Sequence, residues 1–228
     1  MNGTTLEEKI GLSRQRLREV AEGFDPSKVA VAWTGGKDST SVLHLWAAFL
    51  RENEATRQSP VLALNLDTGF KFPEVLRFRD EVAAAWGIDL RIFRPRCAIS
   101  DYPAGHEPVQ CCRDLKIEPL KLGLSEMGVE VMLTGLRQDE HSSRRERQWR
   151  EERNEPRCLE VHPILHWTEM DVWSYHIAQD IPYCELYDKG YRSLSCKPCT
   201  RPAGYTERSG RDPRKEDQLD LLRSLGYF

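Results

Sequence analysis

The stretch Trp33-Thr34-Gly35-Gly36-Lys37-Asp38-Ser39-Thr40 lies between two apolar segments of different character. Residues 28–32 before it form a short apolar run, which is typical of a buried strand. Residues 41–50 after it are mostly apolar and are typical of a helix. A strand, a glycine-rich turn and a helix in this order direct backbone N–H groups and the positive end of the helix at an anion. The stretch therefore predicts a phosphate-binding turn after the first strand.

The turn contains the groups that a phosphate site needs. Gly35 and Gly36 let the backbone approach a phosphate closely, because no Cβ intervenes. Lys37 adds a mobile positive charge, and Asp38 suits such a site if it faces a metal or caps the helix. The spacing is not that of the Walker motif, and the alternative is an ordinary strand–turn–helix connection. The string resembles the pyrophosphate loop of N-type ATP pyrophosphatases, and we predict nucleotide binding by Thr34, Gly35, Gly36, Lys37, Asp38, Ser39 and Thr40.

Composition limits the class of protein. The chain has 228 residues, with 33 Lys and Arg against 36 Asp and Glu, so its net charge of −3 neither favours nor excludes nucleic acid. No apolar run approaches the roughly 20 residues of a membrane helix, and residues 1–9 lack an apolar signal core. We therefore expect a cytoplasmic protein without a membrane partner. Seven cysteines in a reducing compartment favour metal or redox chemistry over disulfides.

Strand-like and helix-like segments alternate along the chain, which predicts an α/β fold with a doubly wound parallel sheet. Further strands are expected at residues 61–66, 90–93 and 129–135, with an extended apolar segment at 161–165. We divide the chain into an N-terminal helix (1–22), an ATP-pyrophosphatase-like α/β domain (23–180) and a loop-rich C-terminal segment (181–228).

Polar residues follow the predicted strands at the edge where open parallel sheets bind ligands. Asp67 follows the second strand and is expected to reach a ribose or a metal, although a turn-forming Asp is an equal alternative. Gly135 and Arg137 follow the fourth strand. The charged run at 138–153 includes Arg144 and Arg145, which suit an oxyanion. For its second half we expect the solvated face of a helix.

Four cysteines have a spacing that suits a metal site. Cys111 and Cys112 are adjacent, and Cys196 and Cys199 form a Cys-x-x-Cys unit. Adjacent residues rarely bind one tetrahedral zinc, because their side chains diverge, whereas a [4Fe–4S] cluster offers separate irons. Zinc, a redox Cys-x-x-Cys and unconnected buried thiols remain alternatives. Lys116 is placed to offset the charge of a thiolate-bound cluster, unless it is an ordinary surface lysine.

Four motifs resemble the adenylyl- and phosphoadenylyl-sulfate reductase family over most of the chain: 34–39, 111–120, 134–137 and 196–201. In the cluster-containing reductases, the matching cysteines bind a [4Fe–4S] cluster near the nucleotide, with a lysine matching Lys116 beside it. Those enzymes attack the sulfate sulfur with a cysteine in a C-terminal Glu-Cys-Gly motif. No cysteine follows Cys199 here, so the resemblance implies a reductase only if Cys97, Cys158 or Cys184 replaces it.

Other segments resemble the catalytic subunit of sulfate adenylyltransferase, namely 66–74, 135–144, 167–173 and the final Gly-Tyr-Phe. That subunit lacks the cluster cysteines and works with a GTPase partner. The mixture of features is similar to the ATP pyrophosphatases of DNA phosphorothioation, which carry cluster cysteines without the reductase tail. These likenesses imply chemistry at the α-phosphate of an adenine nucleotide.

The main hypothesis is an iron–sulfur ATP pyrophosphatase that uses ATP to adenylylate an oxyanion acceptor, either a DNA backbone phosphate or sulfate. Lys37 and Arg137 would neutralise the leaving pyrophosphate, Asp38 would bind Mg²⁺, and Arg144 would contact the acceptor. Expected partners are a cysteine desulfurase with DNA, or a GTPase subunit, in a homo- or hetero-oligomer. The alternatives are a reductase-like enzyme with a non-standard cysteine and a non-catalytic nucleotide- and cluster-binding subunit.

Overall fold

The computed structural model describes residues 4–227. Within this range six strands form one sheet in the order β3-β2-β1-β4-β6-β5. The strands are β1 (Val29–Ala32), β2 (Leu62–Leu66), β3 (Asp89–Phe93), β4 (Val131–Leu133), β5 (Arg150–Asn154) and β6 (Arg157–Val161). All neighbouring pairs are parallel except β5 with β6. The predicted doubly wound α/β fold is confirmed, because helices cover both faces of a mostly parallel sheet.

The helices form two layers around this sheet. They are α1 (Leu6–Gly23), α2 (Lys37–Glu52), α3 (Pro73–Trp86), α4 (Pro108–Cys112), α5 (Glu118–Glu126), α6 (Glu169–Ala178), α7 (Pro213–Glu216) and α8 (Leu219–Ser224). One face of the sheet packs against α1, α2, α3 and α6, and the larger core lies there, around Trp33, Trp46 and Trp167. The other face packs against α5 through Leu120 and Leu124. Burial of β1 on both faces explains its uninterrupted apolar sequence.

The N-terminal helix begins after Thr5, whose side chain and Glu8 form a capping box. Residues 1–3 of the predicted N-terminal helix, and residue 228 of the predicted C-terminal segment, lie outside the described residues. In the C-terminal segment, α8 returns to the domain and packs Leu219 and Leu222 against Cys112 and Ile117. The end of the described chain therefore lies beside the Cys111–Cys112 helix. No helix in residues 4–227 has both the length and the apolar character needed to cross a bilayer.

Two local predictions are wrong. The second half of the charged run is not a helix, because Arg150–Asn154 forms the edge strand β5 in an antiparallel hairpin with β6. Strand β5 can contain a buried charge because Arg153 pairs with Glu160 on the neighbouring strand β6 at 3.0 Å. Residues 162–165 are not extended: β6 ends at Val161, and a turn follows.

Candidate active site

A cleft lies at the carboxyl edge of the sheet, where open α/β sheets bind ligands. The empty space in and around the cleft, including solvent at its open mouth, is about 1020 Å³. The predicted residues Thr34, Gly36, Asp38, Ser39 and Gly135 line it, together with Lys116 and Arg144. Gly135 is required here, because a Cβ on it would lie 2.6 Å from the Ser39 nitrogen at the start of α2. The ends of β1 and β4 thus meet at the glycine-rich turn.

The amides of the glycine-rich turn are largely satisfied within the protein. The Lys37 N–H donates to the Tyr187 hydroxyl at 2.9 Å, and the Gly36 N–H donates to Thr34 Oγ1 at 3.3 Å. The Thr34 N–H donates to Ser39 Oγ at 3.2 Å. Thr40 is buried, where its Oγ1 accepts from Trp33 Nε1 and donates to the Gly36 carbonyl. Any phosphate at this turn would have to displace some of these bonds.

Lys37 and Arg137, the two cations predicted to neutralise pyrophosphate, do not line the cleft. Both are fully buried and form a network with Asp38 and Glu207. Arg137 Nε donates to Asp38 Oδ1 at 2.6 Å, and its Nη2 donates to both Glu207 oxygens at 2.6 Å. Lys37 Nζ also donates to Glu207. Burial alone would lower the pKa of Lys37, but the charges of Asp38, Tyr187 and Glu207 together outweigh it and the pKa is raised.

Arg144 lines the cleft and is paired with Glu140, which also accepts from Arg208 Nη1 at 3.2 Å. Burial lowers the pKa of Arg144 despite this partner. Carboxylate oxygens of Asp38, Glu140 and Glu207 lie within 4.8 Å of one another, which is the spacing of a cation site. Each of these carboxylates already pairs with lysine or arginine. Magnesium at Asp38 therefore stays a prediction.

Asp67 is buried at the end of β2 but does not line the cleft. Its Oδ1 accepts from the Gly69 N–H at 3.1 Å, and its Oδ2 lies 3.2 Å from an Arg94 nitrogen. These contacts are those of a carboxylate that stabilises a turn. Contact with an adenosine ribose stays a prediction.

The structure brings the two cysteine pairs together beside the cleft. Cys111 and Cys112 end α4, and Cys196 and Cys199 flank a short 3₁₀ turn. Gly105 lies between the two pairs: its N–H approaches Cys111 Sγ at 3.5 Å, and a Cβ on it would lie 3.6 Å from Cys199 Sγ. The Lys197 N–H donates to the Phe70 carbonyl at 2.7 Å, which anchors the Cys-x-x-Cys turn on the loop after β2. Four thiols on two segments are compatible with a metal cluster.

Positive charge surrounds these thiols, as an anionic cluster would require. Lys116 lies in a π-helical turn directly after Cys112, and its Nζ donates to Ser195 Oγ at 3.0 Å. Burial would raise the pKa of Cys196, but the charges of Lys116 and Lys71 lower it to about 7. Thr68 Oγ1 lies 3.2 Å from Cys196 Sγ. The donor set and its counter-charges fit a thiolate-ligated iron–sulfur cluster.

Several residues that line the cleft were not predicted from sequence as site residues. They are Lys71, Tyr187, Ser193, Arg208, Arg211 and Tyr227. Arg208 and Arg211 belong to the string Glu207-Arg208-Ser209-Gly210-Arg211. Two arginines close to a glycine could have indicated an anion-binding loop. Gly210 fits closely there, because a Cβ on it would lie 2.1 Å from the Arg201 oxygen. Tyr227 belongs to the final Gly-Tyr-Phe, which the sequence marked as a resemblance to another family but not as part of a site.

The three remaining cysteines do not line the cleft. Cys158 is buried in the core under α5, and burial raises its pKa to about 11. Cys184 is buried in the larger core, and burial raises its pKa as well. Cys97 is the exposed member of the three. It lies on the loop after β3, which contacts the cleft rim where Ile99 packs against Gly69.

The sheet order and the cleft at its carboxyl edge define an adenine nucleotide alpha hydrolase-like fold. The chain belongs to the phosphoadenosine phosphosulfate reductase domain family, whose sequence profile matches residues 28–202. It is 32% identical over 199 residues to the phosphoadenosine 5′-phosphosulfate reductase of Alkalilimnicola ehrlichii, covering 83% of this chain and 76% of that one. It is 34% identical over 156 residues to the adenosine 5′-phosphosulfate reductase of Bacillus velezensis. That match covers 64% of this chain and 66% of the relative.

Solved structures with the same fold include a flavin mononucleotide (FMN) adenylyltransferase from Candida glabrata, with a TM-score of 0.73 and 19% identity over 86% of this chain and 65% of that one. A phosphoadenylyl-sulfate reductase from Candida auris has a TM-score of 0.65 and 22% identity over 81% and 88% of the two chains. A U34-tRNA thiolase from Methanococcus maripaludis, solved with its [4Fe–4S] cluster, has a TM-score of 0.56 and 14% identity over 96% and 74%. These likenesses show the fold.

The hypothesis of an ATP pyrophosphatase that adenylylates a DNA phosphate or sulfate is wrong. The relatives at 32–34% identity are named as reductases of adenylyl sulfates. The buried network around Lys37 and Arg137 gives a physical reason for the error. These cations, assigned to a pyrophosphate leaving group, are already paired with carboxylates in this structure.

Proposed function

We propose that this chain binds adenosine 5′-phosphosulfate, or its 3′-phosphorylated form, and reduces the sulfo group to sulfite. The observation that carries the proposal is the convergence of basic side chains on the cleft beside the cysteine pairs: Lys71, Lys116, Arg144, Arg208 and Arg211. The ligand has two adjacent anionic groups, and guanidinium and ammonium groups bind both phosphate and sulfate oxygens. The names of the relatives agree with this ligand class.

The reaction needs two thiols and no further reductant. The first thiolate attacks the sulfur, the bond between sulfur and the bridging oxygen breaks, and AMP or adenosine 3′,5′-bisphosphate leaves with the electron pair. The resulting S-sulfonated thiol is attacked at its own sulfur by the second thiolate, so that a disulfide forms and sulfite leaves. Sulfur is reduced by two electrons, and two thiols are oxidised to one disulfide. The basic side chains would stabilise the charge on the nucleotide as it leaves.

We assign the first thiol to Cys97 and the second to an external dithiol. Cys158 and Cys184 are unsuitable because both are buried in apolar cores and burial raises the pKa of each. Cys97 is exposed and, together with Arg94 and Arg96, lines a second cleft between this loop and α5. The Arg94–Asp67 ion pair anchors its loop to the end of β2, directly before Thr68, which lines the main cleft.

We also propose a [4Fe–4S] cluster on Cys111, Cys112, Cys196 and Cys199. When bound, it would supply a polarisable, thiolate-ligated group next to the sulfo end of the nucleotide. Lys116 would offset its negative charge. Anaerobically purified protein should show visible iron–sulfur absorption that Cys196→Ser removes and Cys158→Ser leaves intact. A colourless protein with stoichiometric zinc would contradict this assignment.

The function is tested by measuring sulfite release from adenosine 5′-phosphosulfate under anaerobic conditions with a small dithiol. The wild type and Cys158→Ser should release sulfite and AMP, and Cys97→Ser should lose the activity. Without dithiol, mass spectrometry should find one SO₃ group on the peptide that contains Cys97. Full activity in Cys97→Ser would remove that cysteine from the mechanism, and no sulfite from the wild type would contradict the proposed function.

A further inference from the structure

Lys71 lines the cleft and has no individual role in the proposed reaction. It follows the turn at the end of β2, and its side chain is half-buried and lines the cleft. The residues on either side of it are anchored. The Phe70 carbonyl accepts a hydrogen bond from the Lys197 N–H at 2.7 Å. The buried Phe72 ring packs edge to face against Tyr191, with the two ring centroids 5.4 Å apart. The backbone of Lys71 is therefore held between the cysteine turn and the main core.

No carboxylate among the described residues pairs with Lys71. In the described part of the chain its ammonium group makes no hydrogen bond and has no carboxylate within 4.0 Å. Lys37, Arg137, Arg144 and Arg208, in contrast, all pair with carboxylates. The groups that act on Lys71 most strongly are Cys196, Lys116, Tyr227 and Arg211. Three cations thus crowd one side of the cleft.

Such an arrangement is costly in the free protein. A partly buried ammonium without a partner loses hydration and gains no hydrogen bond. Lys116 makes its hydrogen bond to a hydroxyl, and Arg211 makes its bonds to the Ser193 hydroxyl and the Leu194 carbonyl, so neither forms an ion pair with a carboxylate among the described residues. An anionic ligand would supply the missing charge and acceptors. This side of the cleft lies next to Cys196, where the proposed cluster adjoins the sulfo end of the nucleotide, so the sulfo group is the anion that these cations would meet.

We propose that Lys71 binds the sulfo group of the nucleotide and is a specificity-determining residue that distinguishes an adenylyl sulfate from AMP. This inference rests on the proposed function and adds to it a residue that contacts the substrate. The glycine-rich turn lines another part of the cleft with neutral groups of Thr34, Gly36 and Ser39. The part of the ligand that AMP shares would bind there by displacing some of the hydrogen bonds within the turn. A flexible ammonium with three donors suits a sulfo group, whose oxygens point in three directions.

The test is a calorimetric titration of adenosine 5′-phosphosulfate and of AMP into wild type, Lys71→Met, Lys71→Arg and the control Lys189→Met. Lys189 is exposed and does not line the cleft. Loss of a charged hydrogen bond should weaken adenylyl sulfate binding by Lys71→Met about ten-fold or more. AMP binding should change by less than about two-fold, because the sulfo group is absent. Lys71→Arg should recover part of the affinity, and Lys189→Met should match the wild type.

AMP binding also reports that the cleft of Lys71→Met is intact. If Lys71→Met weakens both ligands equally, or neither, the inference is overturned while the proposed function stands. If the wild type binds AMP but gains no affinity from the sulfo group, the inference is overturned as well, whereas the proposed function fails only if the wild type releases no sulfite.

Discussion

The basic residues at and behind the cleft form two groups that differ in whether carboxylates pair with them. On the side of the glycine-rich turn, Lys37 and Arg137 are buried and paired with Asp38 and Glu207. On the side of the cysteines, Lys71, Lys116 and Arg211 line the cleft and have no carboxylate within 4.0 Å among the residues described. Carboxylates neutralise the first group in the ligand-free protein, whereas the second group has no such partner among the described residues. A basic residue in a motif is therefore not by itself a ligand-binding residue.

The largest effect is expected on stability when the ion pairs of Glu207 with Lys37 and Arg137 are removed. Glu207→Gln keeps the side-chain volume but leaves Lys37 and Arg137 with one carboxylate fewer in a buried site. Breaking a buried ion pair in this way costs roughly 3–5 kcal/mol of unfolding free energy. Urea denaturation measures it, with Glu185→Gln, an exposed partner of Lys189, as the control that should change little. A stability close to that of the wild type would show that the network is not structural.

The second-largest effect is expected on ligand affinity when Arg211, a cation without a carboxylate partner among the described residues, is replaced. Arg211→Gln should weaken adenylyl sulfate binding about ten-fold to a hundred-fold, because a charged hydrogen bond contributes roughly 1.5–3 kcal/mol. Urea denaturation should show little loss of stability, since no carboxylate is left unpaired. Arg57→Gln, an exposed substitution away from the cleft, is the control for affinity. A large loss of stability with unchanged affinity would show that Arg211 is a structural residue and does not bind the ligand.

The smallest effect is expected at His162, in a second paired network near the end of β6. His162 is fully buried, with Nδ1 2.7 Å from Thr134 Oγ1 and Nε2 3.0 Å from Arg147 Nη2. Burial, reinforced by the charge of Arg147, lowers its pKa well below the usual value. The unfolded chain therefore binds a proton first as pH falls, so stability is complete above about pH 6.5 and decreases below it.

The size of this pH dependence follows from the difference between the pKa of His162 in the folded and in the unfolded chain. His162 should contribute a loss of up to about 1.4 kcal/mol per pH unit between its unfolded and folded pKa. Urea denaturation of the wild type and His162→Gln at neutral and mildly acidic pH measures the contribution, with exposed His106→Gln as control. An identical acid sensitivity in His162→Gln would contradict the assignment.

The elements that could be predicted from sequence are those with a local signal. The apolar run of β1, the glycine turn and α2 are continuous in sequence, so their order and the class of sheet follow from them. The edge strand β5 was missed because its buried Arg153 is compensated by Glu160 on another strand. That compensation arises only in the folded chain and leaves no apolar pattern in the sequence.

The site was only partly predictable for a similar reason. The four cysteines and Lys116 were found because their side chains have distinctive chemistry and spacing. The pairing of Lys37 with Glu207 joins residues 170 positions apart, and no spacing rule reveals it. Lys71, Arg211 and Tyr227 reach the cleft from three separate segments. Sequence identifies such residues as charged or aromatic but does not show which of them lack a partner.

The most direct test of this account is the difference in affinity between adenosine 5′-phosphosulfate and AMP for the wild-type protein at low and high salt. The unpaired cations predict that the sulfo group increases affinity by about ten-fold or more. The increase should shrink as salt screens the charges near the cleft mouth. Equal affinity for the two nucleotides at low salt would contradict the claim that the side of the cleft formed by Lys71, Lys116 and Arg211 binds the sulfo group.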